Sequence, residues 1–203
     1  MQLIQDKQFG GERPLFASHD LHIDNVLITE GESAIKECSN IKATNCRFEG
    51  NYPFWHVHGF EISDCYFAVG GRSALWYCDH LKMRDTVIDA PKMFREMSHL
   101  DLKNVVMNDA DEVFWRCDNI RIENLKMHGG TYPFMFSHDV YVDGLESDSK
   151  YVFQYARNIE VHNAKITTKD ACWEVDNVTV YVSELNGEYL GWDARNLRLV
   201  TCH

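Results

Sequence analysis

No stretch of this sequence is apolar for long enough to cross a membrane, and its first residues, MQLIQDKQFGGERPLF, lack the apolar run of a signal peptide. Both absences lead to the expectation of a cytoplasmic protein without a membrane partner. Basic residues are outnumbered, 20 Lys and Arg against 31 Asp and Glu, and the net charge of -11 argues against a nucleic-acid partner. Prolines number only four, at 14, 53, 91 and 133. The seven cysteines form no CxxC pair, so the usual spacing of a structural zinc site is missing. Linker-like and low-complexity segments are missing too, and 45% hydrophobic residues suffice for one domain with a sizeable core.

What is present is a tandem repeat. Aligning the chain to DNIRIENLKMHGGTYPFMFS (residues 118–137) gives starts at His19, Ser39, His58, Asp79, Ser98, Asp118, His138, Arg157, Asp176 and Arg195, 19 to 21 residues apart. The third position is apolar in every unit, from Leu21 and Ile41 to Val178 and Leu197, and the fifth follows it from Ile23 to Leu199. Alternation of Ile120 and Ile122 with Arg121 and Glu123 reads as a half-buried strand. A bend residue follows: Asn25, Asn45, Asp64, Asp85, Asn104, Asn124, Gly144 and Asn163, with Val182 and Thr201 breaking the rule. Such residues tolerate the left-handed backbone that a sharp corner requires. A second short strand, a loop and a third strand such as Tyr132 to Phe136 complete the unit.

One such coil cannot bury its inner face alone, whereas stacked coils join their strands into parallel sheets around one apolar column. The leucine framework and helical return of a leucine-rich repeat are absent. The expected fold is all-β, a right-handed parallel β-helix of nine to ten coils with three short strands each, about 45 Å long at the strand spacing. Residues 1–18 are expected to cap it, with Phe9, Leu15 and Phe16 as plug candidates, and residues 19–203 to form the helix domain. The ending LVTCH falls within a coil, which suggests either a shortened C-terminus or end-to-end pairing with a second copy.

Cys38, Cys78 and Cys117 share one inward column, Cys46, Cys65 and Cys202 another, and Cys172 a third. Stacked small apolar side chains in a reduced interior explain them without metal or redox work. Cys46 and Cys65 come within reach of a disulfide, but none is expected. His56 and His58 form an H-x-H with no partner motif. No metal and no other cofactor is expected.

The third strand carries the functional signal. Three residues before each start stand Lys36, Trp55, Trp76, Arg95, Trp115, Met135, Gln154, Trp173 and Trp192, a column that holds all five tryptophans. Its neighbour holds Glu37, His56, Tyr77, Glu96, Arg116, Phe136, Tyr155, Glu174 and Asp193, and the flanking columns are apolar or small. The flanking columns point inward and these two outward or to a corner, although strict alternation would place only one of them outside. Two readings stand: an outer ladder of rings stacked on each other, and a binding face whose aromatic platforms repeat every roughly 4.8 Å. The candidate ligand residues are Trp55, Trp76, Arg95, Trp115, Arg116, Gln154, Trp173 and Trp192. Glu174 and Asp193, on neighbouring coils, and Arg95 with Glu96 are the candidate catalytic residues, since close paired carboxylates are what retaining glycosidases use.

The segments GERPLF, GESAIKEC, GNYPFWH, ALWYC, APKMFR, DADEVFWRC, VFQYA, KDACWEV and GEYLGW, one to a coil, resemble an uncharacterised bacterial family described as a domain of unknown function with a single-stranded right-handed parallel β-helix of the pectin-lyase-like kind. The resemblance covers essentially the whole chain. It implies the fold, polysaccharide enzymes as more distant relatives, and a few further coils beyond LVTCH. No aspartate cluster of the kind pectate lyases use for calcium stands on the Trp-bearing strand. The functional expectation is binding or processing of an oligosaccharide along the Trp face. The alternative is a noncatalytic scaffold, homo-oligomeric through that face or the C-terminal end.

Overall fold

The computed structural model describes residues 1–203 and is an all-β parallel solenoid of about ten turns. Sixteen strands form one sheet system in which every pairing is parallel. The longest ladder stacks the first legs of successive coils in chain order, as in Asp79–Ile88, Ser98–Met107, Asp118–Met127, His138–Ser147 and Arg157–Ala171.

Register repeats the sequence period. Leu100 lies against Leu81 and Ile120, Leu102 against Met83 and Ile122, and Val105 against Thr86 and Leu125. Equivalent positions thus stack on equivalent positions, and the inward ones merge into a core of 56 buried residues. Phe94, Phe114 and Phe134 stack face to face inside it, with centroids 4.6 and 4.5 Å apart, and none of the three is exposed. Burial of one such side chain is worth roughly 2–3 kcal/mol, and each stacked pair adds about 1 kcal/mol.

The corner between the first and second legs is built as the sequence implies. Asn25, Asn45, Asp64, Asp85, Asn104, Asn124 and Asn163 all have φ between 48° and 58°, and so do Val182 at 48° and Thr201 at 55°, the two that break the residue rule. Side-chain amides tie the corner across coils: Asn104 Nδ2 donates to Asp85 Oδ1 at 2.9 Å and Asn124 Nδ2 to Asn104 Oδ1 at 3.2 Å. Gly144 interrupts this ladder, and Asn163 reaches past it to Asp143 Oδ1 at 2.7 Å.

A second left-handed column lies at position two of the repeat: Asp20, Asn40, His80, His99, Asn119, Asp139, Asn158, Asn177 and Asn196, with Gly59. Its enrichment in Asn, Asp, His and Gly is the signal that could have revealed it. This corner also carries an amide ladder, in which Asn177 donates to Asn158 at 3.0 Å and Asn196 to Asn177 at 2.8 Å.

The third leg departs most from a regular strand. In the coil ending at Ser137, Tyr132, Phe134 and Phe136 have φ of 60°, 63° and 60°, and left-handed residues alternate with extended ones. Ladder pairing such as Ile35 with Phe54 and Lys36 with Trp55 persists in the early coils, but in the middle ones it is reduced to isolated bridges, Trp55 to Trp76, Trp76 to Arg95 and Arg95 to Trp115. A bulky residue at positive φ is costly, and the buried phenylalanine stack stabilises it.

Residues 1–18 form a coil of their own, since Gln2–Gln5 pairs with His19–Asp24 and Gln8–Glu12 with Leu27–Glu32. Leu15 is buried and Phe9 packs against the core. Phe16 is 48% exposed, so it plugs nothing. All seven cysteines are free, and only Cys202 is partly exposed. Burial pushes the Cys78 and Cys172 thiols up to about 12.

Candidate functional site

The alternating backbone of the third leg settles which of its two polar columns faces outward. Glu37, His56, Tyr77, Glu96, Arg116, Phe136, Tyr155, Glu174 and Asp193 are all left-handed, with φ from 49° to 60°. A left-handed residue turns the chain, so it and the residue before it leave the core, while the residue after it, such as Val57, Cys117 or Ala156, stays buried. The Trp column is half-buried and its neighbour is mostly exposed. Gln154 is the exception: only 6% of it is exposed, and a role in direct ligand contact does not fit it.

Along the solenoid the tryptophans turn their faces to each other. Trp55 and Trp76 have ring centroids 5.0 Å apart. The Arg95 guanidinium then lies 4.5 Å from the Trp76 ring and 5.2 Å from the Trp115 ring, sandwiched between them. Its Nη2 donates to Glu112 Oε2 at 2.8 Å, and Lys92 Nζ stands 3.6 Å from the same oxygen. Trp76 Nε1 donates to the Lys92 carbonyl at 2.7 Å. Nearer the C-terminus, Trp173 and Trp192 are 6.0 Å apart, and Trp192 is 55% exposed. Gln154 Oε1 and Trp173 Nε1, on successive coils, are both buried without a hydrogen-bond partner.

A sugar ring stacks on a free aromatic face. Trp76 gives one face to Trp55 and the other to Arg95, so this part of the column is a cation–π ladder. The neighbouring column behaves alike. Phe136 and Tyr155 stack at 5.2 Å and 7°, and Arg116 lies 5.3 Å from the Phe136 ring. The candidate catalytic residues are not brought into one constellation. Arg95 is committed to its ion pair and two indoles, Glu96 is exposed, and Glu174 and Asp193 are exposed on adjacent coils without side-chain hydrogen bonds to orient them.

A large concavity lies elsewhere, at the asparagine corner. An open groove of about 740 Å³ runs along the later coils, and its lining includes Asn104, Asn124, Gly144, Asn163, Val182 and Thr201. Five coil-to-coil steps at about 4.8 Å give it a length of about 24 Å. Val106, Lys126, Glu146, Lys165 and Glu184 line it too, and Lys126 Nζ pairs with Glu146 Oε2 at 3.2 Å. At Gly144 the amide ladder stops, and no side chain from the next coil donates to Asn124 Oδ1. A Cβ at Gly144 would come within 2.7 Å of that oxygen. Sequence reading took these residues only as corner formers; the signal it passed over was a glycine in a column otherwise given to Asn and Asp.

The family model described as a protein of unknown function, DUF3737, matches residues 2–203. The chain belongs to the DUF3737 family. No curated protein matches the sequence. The ladders and the groove described above thus belong to a DUF3737 chain. No helix in this chain is long and apolar enough to cross a membrane.

Proposed function

We propose that this protein binds an oligosaccharide along the asparagine corner. The observation that carries the proposal is the 740 Å³ groove, elongated along the solenoid and lined by carboxamides, alternating lysines and glutamates, and a thin apolar strip. Hydroxyl groups both donate and accept hydrogen bonds, so a chain of sugars matches carboxamides such as Asn124 and Asn163. Lys126 with Glu146 and Lys165 with Glu184 add charges of both signs, which favours a neutral chain over a polyanion.

Calorimetric titration with neutral and acidic oligosaccharides tests this. Saturable binding of one class, lost in Asn124→Ala combined with Glu146→Ala while far-UV dichroism is kept, is the expected result. Tryptophan emission stays unchanged on binding, because no tryptophan lines the groove. Binding that survives the double substitution and shifts tryptophan emission would move the site to the Trp column; no binding across the panel would reject a sugar ligand.

A homo-oligomeric scaffold is the second reading. It is favoured by the adjoining exposed apolar side chains Tyr189 (51%), Leu190 (44%) and Trp192 (55%). Sedimentation showing a monomer at every accessible concentration counts against it.

A further inference from the structure

Two residues past the asparagine corner stands a column whose charge changes sign at every coil. Strand register places Lys126 beside Glu146, Glu146 beside Lys165 and Lys165 beside Glu184, and all four line the groove. Equal charges therefore recur at every second coil, about 10 Å apart. Support between opposite neighbours on adjacent strands is one reason for such alternation, but of the three neighbouring pairs only Lys126 and Glu146 form an ion pair. The side chains of that pair are 58% and 53% exposed. Neither carboxylate is fully engaged. Lys126 Nζ is 3.2 Å from Glu146 Oε2, and Asn186 Nδ2 donates to Glu184 Oε1 at 2.7 Å, so one oxygen of each remains to accept from a ligand.

A pyranose ring has two unlike edges. One carries vicinal secondary hydroxyls, which donate together to a carboxylate. The other carries the hydroxymethyl group and the ring oxygen, and the ring oxygen only accepts, so this edge suits an ammonium group. In an extended β-1,4-linked chain each ring is turned over relative to the one before it, and one side of the chain shows these edges alternately. Each ring also advances by about one coil spacing. In an α-1,4-linked chain successive rings keep the same edge on the same side, and the chain curves out of a straight groove.

We propose that the groove takes an extended, neutral β-1,4-linked oligosaccharide, one ring to a coil. Glu146 and Glu184 receive the vicinal hydroxyls of alternate rings, and Lys126 and Lys165 donate to the opposite edge of the rings between. Gly144, on the coil of Glu146, leaves Asn124 Oδ1 as a further acceptor in the middle of the run. The inference rests on the oligosaccharide reading of the groove and adds to it the linkage and the register.

Calorimetry with length series of cello-, malto- and laminari-oligosaccharides tests the assignment. Affinity for the cello series should rise with each ring to about five, the number of coil steps in the groove, and then level off. Malto- and laminari-oligosaccharides of equal length should bind at least about tenfold more weakly, the effect of one unmade hydrogen bond to a charged group. Glu184→Lys ends the alternation and should weaken cellopentaose about tenfold, whereas Glu188→Lys, the same change of charge outside the groove, should leave it unaltered. Equal affinity for the malto series overturns the linkage and leaves the oligosaccharide reading in place. No gain beyond two rings, or an unaltered affinity in Glu184→Lys, overturns the register. No binding in any series overturns both readings.

Discussion

Replacing Arg95 by methionine tests whether the Trp column is a structural ladder. The guanidinium is 4.5 and 5.2 Å from the rings of Trp76 and Trp115 and donates to Glu112 at 2.8 Å, with 22% of the side chain exposed. A partly desolvated cation–π contact is worth about 1 kcal/mol, so two contribute about 2 kcal/mol. The Glu112 pair, also partly exposed, adds about 1 kcal/mol. Methionine retains an apolar stem between the indoles and recovers about 1 kcal/mol of the total, which leaves a net loss of about 2 kcal/mol. For a chain of this size that lowers Tm by about 4–8 °C. Urea unfolding, read by far-UV dichroism and by tryptophan emission, should show a lower midpoint with an unchanged slope. A double-mutant cycle with Trp76→Leu should give a coupling of about 1 kcal/mol. A loss below about 0.5 kcal/mol with no coupling refutes the ladder and returns the tryptophan faces to the list of ligand platforms.

Val182 is a β-branched residue held at φ 48° and 58% exposed. Val182→Asn should stabilise the protein by about 1 kcal/mol, through relief of the left-handed strain and a new amide rung on Asn163; a lowered urea midpoint would contradict it. The Asp24 carboxyl is held below its ordinary 3.8 by hydrogen bonds from Thr44 and Asn45. Its contribution is therefore present in full above pH 3.8 and is lost as pH falls through the lowered folded-state pKa. Asp24→Asn should flatten the acid limb of stability, and a carboxyl NMR titration of Asp24 centred at or above 3.8 would refute the assignment. Of seven free thiols only Cys202 is accessible, so a thiol reagent should label one cysteine in the native protein and seven in denaturant. Rapid native labelling of more than one would show that the interior is less closed than the structure has it.

The solenoid was legible because its cause is repetitive. An apolar third and fifth position in every coil leaves one way to bury them all, and the Asn and Asp corner at Asn25, Asn104 and Asn163 is a local consequence of left-handed backbone. Val182 and Thr201 show that register alone imposes the same corner on residues that disfavour it. The third leg was legible as a short strand but its bends could not be placed, because alternation of Phe134 with Phe136 suits both an extended chain and one with alternating hand. Only stacking of the phenylalanines selects the second. The same ambiguity hid the burial of Gln154 and left both outward columns unresolved. The hydrogen bond between His58 and Asp79 was not legible either, since it depends on contact between coils.

Exact stacking of equivalent positions has a consequence for recognition. In a parallel solenoid each residue lies about 4.8 Å from its counterparts above and below, which is near the spacing at which flat side chains pack. A column of tryptophan, histidine or asparagine therefore satisfies itself, and its faces and amides are spent on neighbours. Free chemistry arises where a column is interrupted. Gly144 leaves Asn124 Oδ1 without a donor from the next coil, and Gly59 opens the ladder beside His58 and His80. Filling either interruption separates a structural from a recognitive role: Gly59→Asn has open space for its side chain and continues the amide ladder. It should leave thermal stability nearly unchanged or slightly raised, and a lowered urea midpoint would show that the fold itself needs the interruption.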